Sequence, residues 1–455
     1  MKLPAIPPTV QDVLNQWGKQ ANDKLIKALM SNVGPYDSKG RYLHWDKLRH
    51  LTPPEGFEIE GYWLALHTAR QSISRPLPFL DKQGRPFCFC VPDGVMRDLF
   101  WISESATGAI EADPEISDPS TKKTYLINSL IEEAISSSQL EGAATTRRVA
   151  KEMIRTGRAP KDHSEKMIIN NHHAMRFLRD VKNDALTPSM IFELHKILTE
   201  GTLPAEDKDK AGKFRSAKDD ICVFSKDGTL LHVPPTVADL PDRLQKICDF
   251  ANCTSEDEAM YIHPIIRAAI VHFMIGYDHP FVDGNGRTAR ALFYWVMANR
   301  GYWLMEYISI SRIIKKAPAQ YQYAYLYTET DENDMTYFII HQLEVIKEAI
   351  ADLHQYLGRR SAQIKEAGKL LDHSHLHGEL NHRQLSLLKN ALKNPGAEYT
   401  IKSHQTSHGV TYQTARTDLQ RLSDEFHLLR KYKIGKRDVF VAPPELRDLI
   451  KQHQH

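Results

Sequence analysis

The sequence predicts a mainly helical fold with a β-hairpin near the middle of the chain, and three observations predict it. Apolar residues recur at helical spacing, as at Ile191, Leu194, Ile197 and Leu198. The clearest strand-like runs, Ile221-Cys222-Val223-Phe224 and Leu230-Leu231-His232-Val233, flank an Asp-Gly turn, which makes a hairpin. Between two apolar runs, Ile265 to Tyr277 and Ala291 to Met297, lies a polar stretch of two glycines, a histidine, a carboxylate, an amide and two arginines.

Bulk properties set the bounds. A chain of 455 residues suggests two to four domains. A net charge of +2 gives no global case for nucleic-acid or membrane binding, so any basic surface must be local. The start, Met1-Lys2-Leu3-Pro4-Ala5-Ile6-Pro7-Pro8, is too proline-broken for the apolar part of a signal peptide, and no apolar run is long enough to predict a membrane span. Cys88, Cys90, Cys222, Cys248 and Cys253 form no regular framework; reduced thiols and a cytoplasmic location are expected.

In chain order, Thr9 to Val33 reads as a polar helical segment, Ile59 to Ser72 as a helix, and Arg75 to Pro92 as extended chain turning at Gly84. Thr121 to Arg155 reads as one long helix, or two with a break near Gly142. Ser137 and Glu141 are four apart and share a helical face. Residues 164–201 read as two helices, the second from Pro188, with His195 an ordinary core histidine. Ala238 to Ala251 and Glu258 to Tyr277 are further helices. The tyrosines at 321, 323, 325 and 327 suit either packing or stacking on a base. Met335 to Leu371 reads as one long helix.

Beyond Gly378, helices are expected at 381–392, 401–406 and 412–422, with Thr411 as an N-cap and a basic hairpin after them. That is helix-turn-helix spacing. Residues 378–455 carry 13 Lys and Arg against 8 Asp and Glu, a net of +5 that suits phosphate contacts.

The chemistry concentrates in His279-Pro280-Phe281-Val282-Asp283-Gly284-Asn285-Gly286-Arg287-Thr288-Ala289-Arg290. Glycines at 284 and 286 allow positive φ and expose backbone N–H groups. A helix starting near Arg287 would aim its unpaired N–H groups at that turn, which makes an anion site, phosphate above all. Arg287 and Arg290 are three apart, so both are expected to face one anion. Asp283 suits Mg²⁺, and His279 at the mouth is the natural general base.

Those twelve residues match every fixed position of the Fic motif, and the chain resembles the Fic family. The resemblance implies a Fic helical core with a β-hairpin flap at 221–233, comprising Ile221, Cys222, Val223, Phe224, Leu231, His232 and Val233. It implies a protein adenylyltransferase moving AMP from ATP to a Tyr, Thr or Ser hydroxyl of a protein target or of itself. His279 would deprotonate the hydroxyl, Asp283 would bind Mg²⁺, and Gly284, Asn285, Gly286, Arg287 and Arg290 would hold phosphates. Ser137 through Gly142 matches the family's inhibitory motif, which implies that Glu141 pairs with Arg290 and obstructs the γ-phosphate. Tyr321 and Tyr323 are candidate adenine contacts. The alternatives are a hydrolase that removes AMP from modified proteins and a transcription regulator using the core as a nucleotide sensor. The expected organisation is an N-terminal extension (1–110), a Fic domain (111–350) containing the inhibitory helix (125–142), a helical linker (351–377) and a domain resembling a winged helix-turn-helix (378–455). The last would bind duplex DNA or serve docking in a homodimer.

Overall fold

Two helices that are apolar all round can be stable only if buried on every side. Pro264–Asp278 and the Ala291 to Met297 part of Asn285–Asn299 come close to that composition, and the two helices, buried along nearly their whole length, pack on each other. The computed structural model describes residues 2–108, 119–253, 261–372, 374–393, 396–434 and 437–452. It divides into two compact units, residues 1–351 and 352–455. The expected boundary near 110, the expected helical residues 258–260 and the hairpin turn at Gly435-Lys436 lie outside the described residues.

The first unit opens with α1 (Val10–Trp17), α2 (Ala21–Leu29), α3 (Trp45–Leu48) and α4 (Ile59–Ser72). Strands β1 (Arg75–Leu80) and β2 (Pro86–Phe89) pair antiparallel across the turn at Gly84. Helix α5 (Asp93–Gly108) follows, then α6 (Pro119–Leu140), α7 (Arg147–Thr156), α8 (His163–Asp180) and α9 (Pro188–Thr199). Thr187 caps α9 by accepting from the Met190 amide, and Pro188 needs no donor at the first position. The hairpin is short: β3 (Val223–Phe224) and β4 (Leu230–His232). Then come α10 (Leu240–Asn252), α11 (Pro264–Asp278), α12 (Asn285–Asn299), α13 (Ile310–Lys316), α14 (Pro318–Thr330) and the first part of α15 (Thr336–Asp372), whose remainder from residue 352 belongs to the second unit.

The N-terminal region is bound to the rest of its unit by buried polar contacts. The Arg70 guanidinium donates to the Tyr337 hydroxyl at 2.8 Å and to the carbonyls of Pro35 and Leu43. Beside β2 the Cys88 amide donates to the Asn333 carbonyl at 3.2 Å, and the Met335 amide donates to the Cys88 carbonyl at 2.8 Å.

The second unit holds α16 (Leu376–Glu379), α17 (His382–Lys393), β5 (Glu398–Thr400), α18 (Ile401–His408), α19 (Tyr412–Gln420), β6 (Arg430–Ile434), β7 (Arg437–Val441) and α20 (Leu446–Gln452). Its sheet has the order β5-β7-β6, all antiparallel. It has its own core, including Leu388, Leu419, Leu422 and Phe440. Asp418, buried, accepts from Arg383 and Asn381 and ties α17 to α19.

Candidate active site

Gly276, Tyr277 and His279 at the end of α11, with Gly286 and Arg290 at the start of α12, form the floor of a cleft of about 430 Å³. Its wall is completed by Leu140 and Glu141 from the end of α6, by Val223, Leu231 and His232 from the hairpin, and by Tyr321, Gln322 and Tyr325 from α14. Polar side chains converge on one concave, partly apolar space, as a ligand site requires.

His279 ends α11 in the left-handed conformation, φ 46° and ψ 55°. A non-glycine residue there is uncommon and persists only when its surroundings impose it. Its Nδ1 lies 3.1 Å from the Gly276 carbonyl, which can only accept, so Nδ1 carries the proton. That leaves Nε2 as the lone pair on a side chain lining the cleft. Burial pushes the imidazole down to about 4, outweighing the Gly276 bond and the Glu141 charge, which raise it. His279 is therefore neutral and able to accept a proton at neutral pH.

The loop after it is pinned atom by atom. The Asn285 side chain accepts from the Phe281 amide at 2.9 Å and donates to the Phe281 carbonyl at 2.8 Å. Both ends of the amide are thus engaged with Phe281, a difference from the expectation that Asn285 holds phosphate. Phe281 is fully buried and stacks on His195, centroids 3.7 Å apart. The Gly212 amide donates to His195 Nδ1, so His195 Nε2 donates to the Asp283 carbonyl at 2.8 Å. His195 is the structural histidine expected.

The two glycines serve different needs. Gly284 has φ 82° and precedes α12. Gly286 is helical, contrary to the expectation of positive φ; a Cβ there would lie 2.3 Å from Glu141 Oε1 and 3.0 Å from Arg290 Nη1. It makes room for a carboxylate against the first turn of α12, where negative charge is favoured.

The two arginines do not face one point, which corrects the shared-face expectation. Arg290 lines the cleft. Its Nε donates to Ser137 Oγ at 2.9 Å, and its Nη2 to the Ser137 carbonyl at 3.1 Å and to Glu141 Oε1 at 2.9 Å. The Arg290 side chain is 2% exposed and that of Glu141 29%. Burial works against the Arg290 charge, but Glu141 holds its pKa above the ordinary value. Arg287, equally buried, donates instead to the Leu198 carbonyl at 3.1 Å and to Asp283 Oδ2 at 2.8 Å. Identical side chains one turn apart are separated by their neighbours.

Glu141 lies in the turn just past α6, where Gly142 has φ 96°. A residue not singled out in the sequence fixes that helix: Glu133, buried, accepts from Tyr294 Oη at 2.9 Å, Ser309 Oγ at 2.8 Å, the Ser311 amide at 3.1 Å and Ser311 Oγ. It ties α6 to α12 and to the start of α13.

Of the expected flap residues, Val223, Leu231 and His232 line the cleft, with Lys226 from the turn. Ile221 and Cys222 precede the strand, and Phe224 and Val233 are exposed. Of the expected base contacts, Tyr321 lines the cleft with its hydroxyl 2.8 Å from His272 Nε2. Tyr323 does not: its hydroxyl donates to the Lys2 carbonyl at 2.8 Å and its ring stacks on Tyr327. Tyr325 takes the cleft position instead.

Asp283 has one oxygen on Arg287 and a side chain 48% exposed. Among the described residues no group of three or more His, Cys, Asp or Glu could hold a metal ion. The residues fit Mg²⁺ bound by one carboxylate together with substrate phosphates, the mode this ion favours.

A histidine-led, arginine-lined loop between two buried helices lies within residues 185–297, the stretch that the model of the Fic/DOC family matches. The fold is similar to that of a crystal structure of a Fic family protein from Desulfovibrio desulfuricans G20, with a TM-score of 0.51 and 16% identity, covering 77% of this chain and 95% of that one. The chain is 30% identical over 174 residues to the protein adenylyltransferase Fic of Nematostella vectensis, 36% of this chain and 37% of that protein. It is 28% identical over 185 residues to the protein adenylyltransferase fic-1 of Caenorhabditis elegans, 40% of this chain and 33% of that protein. The matches therefore span about a third of these relatives' length. Residues 137–142 lie outside the range matched by the family model. No helix among the described residues is long and apolar enough to cross a membrane.

Proposed function

We propose that this protein transfers AMP from ATP to a hydroxyl side chain of a protein, and that Glu141 restrains it. The observation that carries the reading is the neutral His279, its Nε2 unprotonated in a cleft whose buried arginine, Arg290, is paired with Glu141. In the proposed reaction the target hydroxyl oxygen attacks the α-phosphorus and its proton passes to His279 Nε2. The bond from that phosphorus to the bridging oxygen breaks, and pyrophosphate leaves. Arg290, once released by Glu141, would serve the γ-phosphate, for which its planar fork is suited. Asp283 would hold Mg²⁺, which when bound supplies neutralising charge to the phosphates. The Tyr321–Tyr325 wall would take the base.

The test is incubation of the full-length protein and Glu141→Gly with α-labelled ATP, Mg²⁺ and cell lysate. Label is expected on protein, more of it with Glu141→Gly and none with Glu141→Gly/His279→Ala. The hydrolase alternative is read on the same proteins, as loss of AMP removal from a pre-modified target in Glu141→Gly.

For the second unit we infer a winged helix-turn-helix module that binds duplex DNA. Supporting this, α18 and α19 are separated by Gly409 at φ 62°, and α19 exposes Tyr412, Gln413, Arg416 and Thr417. Lys433 and Arg437 are exposed on the β6–β7 hairpin, although Lys431 is paired with Asp438 at 3.4 Å. A fragment of residues 352–455 should retard genomic DNA fragments at low salt and lose affinity steeply as salt rises. A folded fragment with no retardation would favour a docking role.

A further inference from the structure

The last carbonyls of a helix have no partner within it, and an exposed loop normally gives them to water. At the end of α11 and in the loop beyond, protein groups take them. The His279 amide donates to the Ile275 carbonyl and His279 Nδ1 to that of Gly276, each at 3.1 Å. The Tyr277 carbonyl accepts from His232 Nε2 at 2.7 Å. The His279 carbonyl accepts from Arg215 Nε at 2.8 Å, and the Pro280 carbonyl from the Arg215 amide at 2.9 Å. Arg215 Nη2 donates to the Pro235 carbonyl at 2.6 Å.

Arg215 lies before the hairpin and Pro235 after it. One buried guanidinium thus closes the base of the hairpin and grips the backbone of His279. Arg215 itself does not line the cleft. The grip falls where the chain needs it, because His279 is held in a left-handed conformation that its side chain disfavours.

We propose that Arg215 is a positioning residue: by capping the His279 and Pro280 carbonyls it keeps His279 in that turn, with Nδ1 on Gly276 and Nε2 toward the cleft, and couples the base of the hairpin to it. The proposal rests on His279 being the general base. Two properties of arginine are required. Its charge faces Asp278, which is buried and paired with Arg243 at 2.7 Å. Its planar fork reaches two carbonyls at fixed angles, which a lysine ammonium cannot reproduce.

Arg215→Lys keeps the charge and removes the fork, so it separates the two. In the full-length Glu141→Gly protein, Arg215→Lys is expected to lower the rate of AMP incorporation on the order of 10²-fold, the size of a roughly 1 Å misplacement. ATP affinity, measured by calorimetry, should change by less than about twofold, because no ground-state contact is lost. The ring nitrogens of His279 are read by ¹⁵N NMR, assigned by difference with His279→Ala. They should show the Nδ1–H tautomer in the protein with Arg215 and a mixture in Arg215→Lys. An unchanged tautomer and rate in folded Arg215→Lys overturn the proposal, as does a rate loss matched by an equal loss of ATP affinity. Where Arg215→Lys fails to fold, Arg215→Gln, neutral and able to give one amide bond, is measured instead. Independently of any variant at 215, finding the Nε2–H tautomer in the unaltered protein overturns it. If Glu141→Gly transfers nothing, the transferase reading fails, while the tautomer comparison still decides the role of Arg215.

Discussion

The floor of the cleft and the flap over it are built in opposite ways. The floor is the junction of two helices buried on all sides, and its Phe281, Asn285 and Arg290 side chains are nearly inaccessible. The flap has two residues in one strand and three in the other, with an irregular register between Val223 and Phe224. It is attached by a few side chains, His232 and Arg215 from within its own segment and Lys82 on the Val233 carbonyl. Chemistry that depends on sub-ångström placement is thus assigned to a packed core, and access to it to a ribbon with little core of its own. Under the proposed function, the floor would fix reactivity and recognition would fall to the flap.

Substitutions sharpen this contrast in order of size. His279→Ala should lower AMP incorporation on the order of 10²–10⁴-fold, the usual cost of losing a general base. ATP binding should be retained, and calorimetry on the purified protein checks it. Phe281→Ala, in the floor, empties a fully buried ring site and should cost about 3–5 kcal/mol in urea unfolding. Phe224→Ala, in the flap, removes a ring that is 57% exposed and should cost about 0.5 kcal/mol or less. Equal losses at the two sites would break the comparison.

A smaller effect is expected with pH. Burial pushes His195, His263, His279 and His341 down to about 4. Each binds its proton more readily unfolded, where the ordinary value is about 6.5. Their contribution is present above that value and is lost as pH falls through 4, so stability should decline on acidification across this window. Asp278 and Asp331, pushed up to about 6 by burial, act in the opposite direction, their contribution being lost as pH rises through 6. Urea midpoints between pH 7 and pH 4 give the net sign, and destabilisation is expected because the four histidines named outnumber the two carboxylates pushed up to about 6.

Much of the floor was legible in the sequence because its information is local. Two apolar runs around a Gly-Asn-Gly turn specify helix, turn and helix, and the Ser137–Glu141 spacing specifies a shared face. What each side chain does there was less legible, because partners distant in sequence decide it. Arg287 and Arg290 differ through Leu198 and Ser137, which the spacing does not reveal, as well as through Asp283, four residues before Arg287. Arg215 and Glu133 read as ordinary charged residues until the fold brings carbonyls and hydroxyls to them. Some signals were present but unused. Tyr321 and Tyr325 are four apart and share the cleft face, and Tyr323 and Tyr327 share another, so helical periodicity alone separates the pairs. Helix α5 was not expected, although Val95, Leu99 and Ile102 have its spacing. Strand β5 has three residues, too few for any periodicity to register.

The central claim is that Arg290 serves either Glu141 or the nucleotide, and that its present partner is Glu141. The most direct measurement is AMP incorporation by four full-length proteins: unaltered, Glu141→Gly, Arg290→Ala and the double variant. Residues in one ion pair are expected to be non-additive. Glu141→Gly should gain activity, and Glu141→Gly/Arg290→Ala should be no better than Arg290→Ala alone. A gain from Glu141→Gly that survives intact in the Arg290→Ala background would contradict the account.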